Sequence, residues 1–262
     1  MDKFKHKKSL GQNFLKDDNV LNKIVNTISL QPEDLVIEIG PGQGALTKKL
    51  VQKNVNLVCY EVDERTKPYL GKLCNSKTKI IFNDFMKADI KEDIGNIKYN
   101  NLYIIANLPY YITTPIIKKI ILDKLPVKSM ILMMQKEVAE RFSSNINSKE
   151  YGSITLYLNY YFKINKLFDV SRNSFDPIPN VDSSVVEFDV KTNKVLVENE
   201  ELFFNIINDA FRQKRKNLKN NLKNYDLEKI ATVLKNYGLN LQNRAENLSI
   251  NVFADIANSL NE

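Results

Sequence analysis

The sequence predicts an α/β protein with a mostly parallel sheet covered by helices on both faces, followed by a small C-terminal all-helical domain. Short apolar runs alternate with amphipathic stretches from about residue 18 to residue 190, which is the pattern of strands and helices in a parallel sheet. After Val190 the pattern changes and favours helices alone. A chain of 262 residues is long enough to bury a sizeable core and to carry a small second domain.

The first half of the chain predicts helices and strands in turn. Apolar residues at helical spacing predict a helix over Asn19–Ser29, and the apolar run Leu35–Ile39 predicts a buried strand. A glycine turn separates that strand from a second predicted helix, Ala45–Gln52. Further apolar runs predict strands at Val55–Glu61, Lys79–Asn83, Leu102–Ala106 and Ser129–Gln135.

The second half predicts two more strands and then helices. The β-rich runs near Ser153–Phe162 and Ser183–Val190 are expected to add a terminal hairpin to the sheet. Glu201–Asn224 predicts one long helix, with shorter helices after it. The polar stretch Lys191–Lys194 predicts a boundary near residue 192, which gives a first domain of residues 1–192 and a helical domain of residues 193–262.

The composition argues against several kinds of site. His6 is the only histidine, and Cys59 and Cys74 are the only cysteines, so a zinc site, a disulfide framework and a Ser-His-Asp triad are all disfavoured. We expect no metal and, without a run of about 18 apolar residues, no membrane span. The basic start of the chain has no apolar stretch behind it, which predicts a cytoplasmic protein and not a secreted one.

The most informative local pattern is a glycine turn that begins at Glu38. Gly40 and Gly42 let the backbone turn tightly and approach a ligand closely. Glu61 ends the next predicted strand and can accept hydrogen bonds from ribose hydroxyls, and Asp84 ends the one after and can accept from an adenine amino group. Such a crevice suits either NAD or S-adenosylmethionine. Glu38 favours S-adenosylmethionine, because a carboxylate there can meet the cationic methionine end.

Asn107, Leu108, Pro109 and Tyr110 directly follow the fourth predicted strand. An exocyclic adenine amine is a poor nucleophile because its lone pair is delocalised into the ring. The side-chain oxygen of Asn107 and the carbonyl of Leu108 can accept hydrogen bonds from its two N–H groups, which raises its reactivity. Pro109 stiffens the turn, and Tyr110 offers a flat face on which a base can stack. The pattern therefore predicts methyl transfer to an adenine held outside its helix. A dehydrogenase would not need these residues.

Five segments of the chain, in this order, resemble the KsgA-type family of ribosomal RNA adenine dimethyltransferases, and the resemblance covers nearly the whole chain. The segments are Ser9–Leu15, Glu38–Ala45, Asn107–Tyr110, Phe175–Ser183 and Arg244–Ser249. The family usually has Lys or Arg at the position of Asn180, a departure that bears on an RNA or surface contact and not on catalysis.

The resemblance implies the fold, the cofactor and the site residues. It implies a Rossmann-like class I methyltransferase sheet that binds S-adenosylmethionine, with Asn13 and Leu15 closing over the cofactor. It also implies that Phe175 faces Tyr110, so that the two rings sandwich the adenine. The residues implied to line the cofactor pocket are Gly40, Glu61, Asp84 and Asn107.

The resemblance implies a substrate as well: two adjacent adenines in the 3′-terminal hairpin loop of 16S rRNA, within an immature small ribosomal subunit, each dimethylated at N6. Two alternatives stay open, an Erm-like enzyme acting on 23S rRNA and a non-catalytic ribosome-assembly or RNA-binding factor. The intact glycine turn and Asn107–Tyr110 favour an enzyme, and the segments that end at Ser183 and Ser249 favour the small subunit. We expect a monomer.

The net charge of +7 favours a polyanionic partner, and the basic residues cluster in two places. The N-terminal tail carries the first cluster, Lys3, Lys5, Lys7 and Lys8. The predicted long helix carries the second cluster, Arg212, Lys214, Arg215, Lys216, Lys219 and Lys223, with Asp209 as the acidic residue beside them. We expect both clusters to contact RNA phosphates.

Overall fold

The computed structural model describes residue 7 and residues 11–261. They form two compact units, one from residues up to 139 together with 165–190, the other from residues 140–164 together with those from 191 onward. The chain passes from the first unit to the second for the last time after residue 190, next to the boundary expected near residue 192. The segment 140–164, which was expected in the first domain, belongs to the second unit. No helix in the described part of the chain is both long and apolar enough to cross a membrane.

A seven-stranded sheet organises the first unit, as the predicted α/β class requires. The strands of the described residues are β1 (Phe14–Leu15), β2 (Leu35–Ile39), β3 (Asn56–Tyr60), β4 (Thr78–Ile81), β5 (Leu102–Asn107), β6 (Val127–Gln135), β7 (Phe162–Val170), β8 (Phe175–Asp176) and β9 (Ser183–Val190). The strand order is β4-β3-β2-β5-β6-β9-β7, while β1 and β8 form a separate antiparallel pair. Strands β2 to β6 are parallel to one another, and β9 runs antiparallel to β6.

Helices cover this sheet and build the second unit. Those of the described residues are α1 (Asp18–Val25), α2 (Ala45–Val51), α3 (Lys67–Leu70), α4 (Ile90–Ile94), α5 (Thr113–Leu122), α6 (Lys136–Phe142), α7 (Ser153–Tyr161), α8 (Glu200–Ala210), α9 (Leu218–Asn221), α10 (Leu227–Asn236) and α11 (Ile250–Asn261). Asp17 begins α1, since its side chain accepts hydrogen bonds from the backbone N–H groups of Asn19 and Val20.

Burial on both faces explains the continuous apolar runs of the central strands. All five residues of β2 are buried. Val36, Leu57, Ile105 and Ile131 from four neighbouring strands share one core cluster with the apolar face of α1. A sheet with both faces covered has no polar side along its strands, which is why alternation is missing from the sequence.

The segment Ser153–Tyr161 is a helix, and the predicted strand over Ser153–Phe162 is wrong. Strand β7 begins only at Phe162 and joins the sheet beside β9. Leu156, Leu158 and Tyr160 alternate in the manner of a strand, but Leu156 and Tyr160 are also four residues apart, as on one helix face. Both are buried in the core of the second unit, and this packing selects the helix.

The predicted long helix Glu201–Asn224 is interrupted. Helix α8 ends at Ala210, and helical structure resumes with α9 at Leu218. The Asn217 side chain accepts a hydrogen bond from the N–H of Asn220 and so caps a new helix, while the side chain of Asn221 donates to the carbonyl of Ala210. Repulsion between closely spaced like charges in the intervening basic stretch also disfavours a continuous helix.

Candidate active site

The carboxyl ends of β2 and β5 lie side by side, because β2 pairs with β3 on one edge and with β5 on the other. An open parallel sheet binds ligands at such a point, where the strand order reverses. A cavity of about 540 Å³ opens there, a volume within the range of small-molecule sites. Its lining comes from Leu21 and from residues within five stretches: 11–15, 38–46, 60–64, 82–86 and 107–112.

The glycine turn forms the floor of this cavity. Gly40 and Gly42 have φ angles of +70° and +57°, in the left-handed region that a Cβ atom disfavours. A Cβ on Gly42 would lie 2.8 Å from Cδ1 of Phe14 and closer still to Cε1. The N–H of Gly42 donates to Oε2 of Glu61 at 2.8 Å, which ties the turn to the end of β3.

Glu61 organises the backbone at the end of β3. Its second carboxylate oxygen, Oε1, accepts a hydrogen bond of 2.8 Å from the N–H of Asp63. Burial raises the pKa of Glu61, and the hydrogen bonds from Asp63 and Gly42 oppose that rise. Each carboxylate oxygen has more than one lone pair, so Glu61 retains capacity to accept from hydroxyl groups in the cavity.

Asp84 lies at the same edge, on the loop after β4, and lines the cavity. Its Oδ1 accepts from the N–H of Met86 at 2.9 Å, which fixes the carboxylate. The next residue, Phe85, also lines the cavity, but its ring is buried against the edge of Tyr60 with ring centroids 5.4 Å apart. Val62 instead presents an exposed apolar side chain to the cavity, with 51% of its surface accessible.

The N-terminal strap, residues 11–15, forms another wall of the cavity. Gln12 Nε2 donates to Oδ2 of Asp63 at 2.8 Å, which holds the strap to the loop after β3. Arg65 also bonds Asp63, and the two donors hold the pKa of that carboxyl well below its usual range, Arg65 contributing most. Leu15 pairs with Phe175 through the β1–β8 ladder, which anchors the other end of the strap.

Asn107 meets the strap across the cavity. Its Nδ2 donates to the backbone carbonyl of Asn13 at 3.2 Å, which directs the amide and leaves Oδ1 as its acceptor atom. The N–H of Leu108 donates to the carbonyl of Met133 at 3.2 Å and holds the loop against β6. The hydroxyl of Tyr110 lies 2.8 Å from the hydroxyl of Ser183, which fixes the ring in the cavity wall.

Most of the residues predicted to bind the cofactor or the target amine lie together, and one does not. Asn13, Leu15, Gly40, Gly42, Glu61, Asp84, Asn107, Leu108 and Tyr110 all line the cavity. Phe175 is not among the lining residues: its side chain is 0% exposed and packs in the core with Leu15 and Val185. The expectation that Phe175 faces Tyr110 across an adenine therefore has no support from this geometry, because pairing of β8 with β1 turns the ring into the core.

Glu38 is a buried carboxyl in the cavity wall. Its Oε2 accepts a hydrogen bond of 3.6 Å from the thiol of Cys59. Burial raises the pKa of Glu38 to about 7, and the thiol hydrogen bond partly opposes this rise. At neutral pH the site can therefore hold Glu38 with or without its proton.

We expect Glu38→Gln to stabilise the ligand-free protein at pH 8 by about 2 kcal/mol and to change its stability much less at pH 5. The folded-state pKa lies above the unfolded value, so Glu38 favours folding at low pH and loses that contribution as the pH rises through 7. Urea unfolding at both pH values measures the difference, with the exposed Glu33→Gln as the control. An equal effect of Glu38→Gln at both pH values would show that this carboxyl does not titrate as described.

The described basic residues predicted to bind RNA are all exposed. Lys7 is the described residue of the tail cluster, and the rest of that cluster, including Lys8, lies outside the described residues. Arg212, Lys214, Arg215 and Lys216 lie in the loop between α8 and α9, and Lys219 is in α9. Arg212 is 3.6 Å from a carboxylate oxygen of Asp209, and Lys214 donates to the backbone carbonyl of Lys149.

The arrangement combines a ligand cradle with a rigid polar turn. Acidic side chains at the ends of β3 and β4 can accept from hydroxyl and amino groups, and the glycine turn admits a ligand close to the backbone. The amide oxygen of Asn107 and the ring of Tyr110 line the same cavity. Within residues 7 and 11–261, no group of histidine, cysteine or acidic residues is placed to hold a metal ion.

Several residues of the cavity escaped the sequence analysis, among them Gln12, Val62 and Tyr111. Gln12 lies inside a segment singled out for its likeness to a family, but nothing in the sequence pairs it with Asp63. Val62 and Tyr111 directly follow Glu61 and Tyr110, so adjacency to a predicted site residue was the available signal. An exposed apolar side chain in a loop is ordinary, which is why that signal carries little weight alone.

Over nearly its whole length the chain is similar to ribosomal RNA methyltransferases. The profile of the family described as ribosomal RNA adenine dimethylase matches residues 3–262. A curated relative from Oceanobacillus iheyensis, named ribosomal RNA small subunit methyltransferase A, is 42% identical over 98% of this chain and 90% of its own length. A relative of the same name from Geobacillus thermodenitrificans is 40% identical over 98% and 92%.

Solved structures confirm the predicted Rossmann-like class I methyltransferase fold. A dimethyladenosine transferase from Plasmodium falciparum has a TM-score of 0.81 at 28% identity, over 94% of this chain and 97% of that chain. The 23S rRNA methyltransferase ErmE has a TM-score of 0.72 at 22% identity, over 95% and 100%. The likeness to ErmE concerns the fold alone.

Proposed function

We propose, because this chain belongs to the ribosomal RNA adenine dimethylase family, that it dimethylates the N6 amines of two adjacent adenines in the 3′-terminal hairpin loop of 16S rRNA, with S-adenosylmethionine as methyl donor. The observation that carries the proposal is that the glycine turn after β2 and the Asn107 turn after β5 line one cavity. A Cβ on Gly40 would lie 4.0 Å from Cδ of Pro109, so the two turns adjoin, and this supports direct transfer between a donor and an amine held there. The relatives named as small-subunit methyltransferases support the choice of 16S rRNA over 23S rRNA.

The residues present fit S-adenosylmethionine. A Cβ on Gly42 would collide with Phe14, so glycine at this position lets the strap pack against the turn, and the two together bound the cavity of about 540 Å³ in which the ligand would lie. Glu61 would accept from the ribose hydroxyls and Asp84 from the adenine amino group, with Val62 against the adenine ring. Asn13 and Leu15 would enclose the ligand from the strap, and Glu38 would face its cationic methionine end.

The chain's own groups would activate the target amine. When bound, S-adenosylmethionine supplies a sulfonium methyl group as electrophile. Oδ1 of Asn107 and the carbonyl of Leu108 would accept hydrogen bonds from the two N–H groups of the target amine and so favour a tetrahedral nitrogen, while Tyr110 stacks on its base. The methylated amine is a strong acid and loses its proton without a dedicated base, so catalysis comes from positioning and fixed dipoles.

The experiment that tests this function is mass spectrometry of rRNA from cells with and without the gene. We expect two dimethyladenines in the 3′-terminal hairpin of 16S rRNA to disappear with the gene and to return on complementation. Loss confined to 23S rRNA would support the Erm-like alternative. Unchanged rRNA modification would support the non-catalytic alternative.

We expect replacement of Arg212, Arg215 and Lys216 by Ala to weaken RNA binding at least about tenfold and to lower the slope of its salt dependence by about 2 to 3. All three are exposed, so the change removes charge without opening a core. Equilibrium binding to the hairpin RNA at several salt concentrations measures the effect, with Lys229→Ala/Lys235→Ala on α10 as the matched control. Equal losses of RNA and cofactor affinity would indicate misfolding and not the loss of phosphate contacts.

The partner we propose is an immature small ribosomal subunit, which the protein meets as a monomer in the cytoplasm. Exposed basic residues in the loop between α8 and α9 support a polyanionic partner. Methylation assays on naked rRNA and on immature subunits distinguish the two substrates. Mass measurement by light scattering tests the monomer.

A further inference from the structure

Two consecutive tyrosines occupy the short turn after Pro109, and they are held differently. The hydroxyl of Tyr110 is fixed by Ser183, and its ring is partly buried. Tyr111 lines the same cavity, yet 61% of its surface is exposed. None of the described residues forms a hydrogen bond with the Tyr111 hydroxyl. The exposed ring is therefore available to contact a ligand.

Tyr111 is placed at the rim of the cavity by the backbone beneath it. A Cβ on Gly11 would lie 3.1 Å from Cε1 of Tyr111 and 3.7 Å from Cβ of Pro109, so the Tyr111 ring packs directly against the strap. Gly11 itself has a φ angle of +59°. A single exposed aromatic ring is ordinary on a protein surface. This ring differs because it is packed on one side and adjoins the residue that faces the target base.

We propose that Tyr111 stacks on the base next to the target adenine in the RNA strand. This inference rests on the proposed function. Extruding a base from a stack deprives its neighbour of a stacking partner, and an aromatic ring at the rim replaces that partner. Two consecutive rings thereby match two consecutive bases. Stacking tolerates changes in the base, so the same contact serves an unmodified adenine and a dimethylated one.

The test is a cycle of protein and RNA changes measured by equilibrium binding. Hairpin RNAs carry either adenine or an abasic nucleotide beside the target adenine. For the wild-type protein we expect the abasic nucleotide to raise Kd about tenfold. Tyr111→Ala should raise Kd about tenfold on the intact hairpin and cause no further loss on the abasic one. Tyr111→Phe should bind both RNAs as the wild type does.

Two controls separate stacking from structural damage. Tyr69→Ala removes another exposed tyrosine, on α3 and outside the cavity lining, and should leave both Kd values unchanged. Cofactor affinity of Tyr111→Ala is measured by calorimetry, because Tyr111 contacts the strap. Unchanged cofactor affinity supports the proposal, and a loss that matches the loss of RNA affinity overturns it.

The remaining outcomes separate this inference from the proposed function. Two results would overturn the stacking role. One is that Tyr111→Ala and the abasic nucleotide each raise Kd and that the two factors multiply when both changes are combined. The other is that the abasic nucleotide does not change the Kd of the wild-type protein. Methyl transfer to the intact hairpin, alone and within immature subunits, is measured alongside. If the Kd values follow the expected cycle but no methyl group is transferred to the hairpin or to immature subunits, the result would count against the proposed function and would still support the contact with the neighbouring base.

Discussion

Asn107→Ala is expected to slow methyl transfer about 100- to 1,000-fold, the effect of removing one preorganised hydrogen-bonding group from an active site. The substitution deletes the acceptor proposed for one N–H of the target amine. It also deletes Nδ2, which donates a single hydrogen bond of 3.2 Å to the carbonyl of Asn13 in the strap. Cofactor affinity should therefore fall only a few-fold. Single-turnover transfer measures the rate, and calorimetry measures the affinity.

Asn101→Ala is the matched control for this change. Asn101 lies directly before the first residue of β5, at the end of the strand opposite to Asn107. Its Nδ2 donates to Oδ1 of Asp34 at 2.8 Å. Its replacement should reduce stability slightly and leave the transfer rate intact. Near-normal transfer by Asn107→Ala would remove the account of amine activation. Equal slowing by both variants would assign the effect to disturbance of β5.

Gly42→Ala is expected to weaken cofactor binding at least about 100-fold, which corresponds to about 2.7 kcal/mol. The added Cβ meets the ring of Phe14, and the φ angle of +57° adds strain for any residue other than glycine. Relief of both requires the turn to move, which breaks the hydrogen bond from Gly42 to Glu61. Calorimetric titration with S-adenosylmethionine measures the loss, and circular dichroism reports whether the fold is kept.

Gly71→Ala provides the control for Gly42→Ala. A Cβ on Gly71 meets nothing within 4 Å, so this variant should bind the cofactor normally. Adding Phe14→Ala to Gly42→Ala should recover part of the affinity, because it removes the collision and leaves the backbone strain. Normal binding by Gly42→Ala alone would mean that the cofactor occupies another place.

The strand ends were predictable because parallel strands place their carboxyl ends at one edge of the sheet. Glu61, Asp84 and Asn107 each directly follow or end an apolar run, and the sheet brings all three to the cavity. This inference needs only the periodicity of single segments. It therefore held although several strand ends were displaced by one or two residues.

Contacts between segments that are far apart in the sequence could not be predicted from the pattern of each segment alone. The burial of Phe175 depends on pairing between β1 and β8, whose residues are about 160 positions apart in the sequence. The helix Ser153–Tyr161 depends on partners such as Phe203 in the second unit's core. Both segments carry local patterns compatible with more than one environment, and tertiary packing selects among them.

The strap has a consequence for the number of binding events in one complete reaction. Two dimethylated adenines require four methyl groups, so four donor molecules enter and four spent ones leave for each RNA. The strap that lines their site is held by individual hydrogen bonds, such as that from Gln12 to Asp63, and is anchored at Leu15 by a two-residue ladder and by burial in the core. Each such bond contributes about 1 kcal/mol, so we expect the Gln12 end of the strap to release and rebind with each donor while Leu15 and the sheet stay packed.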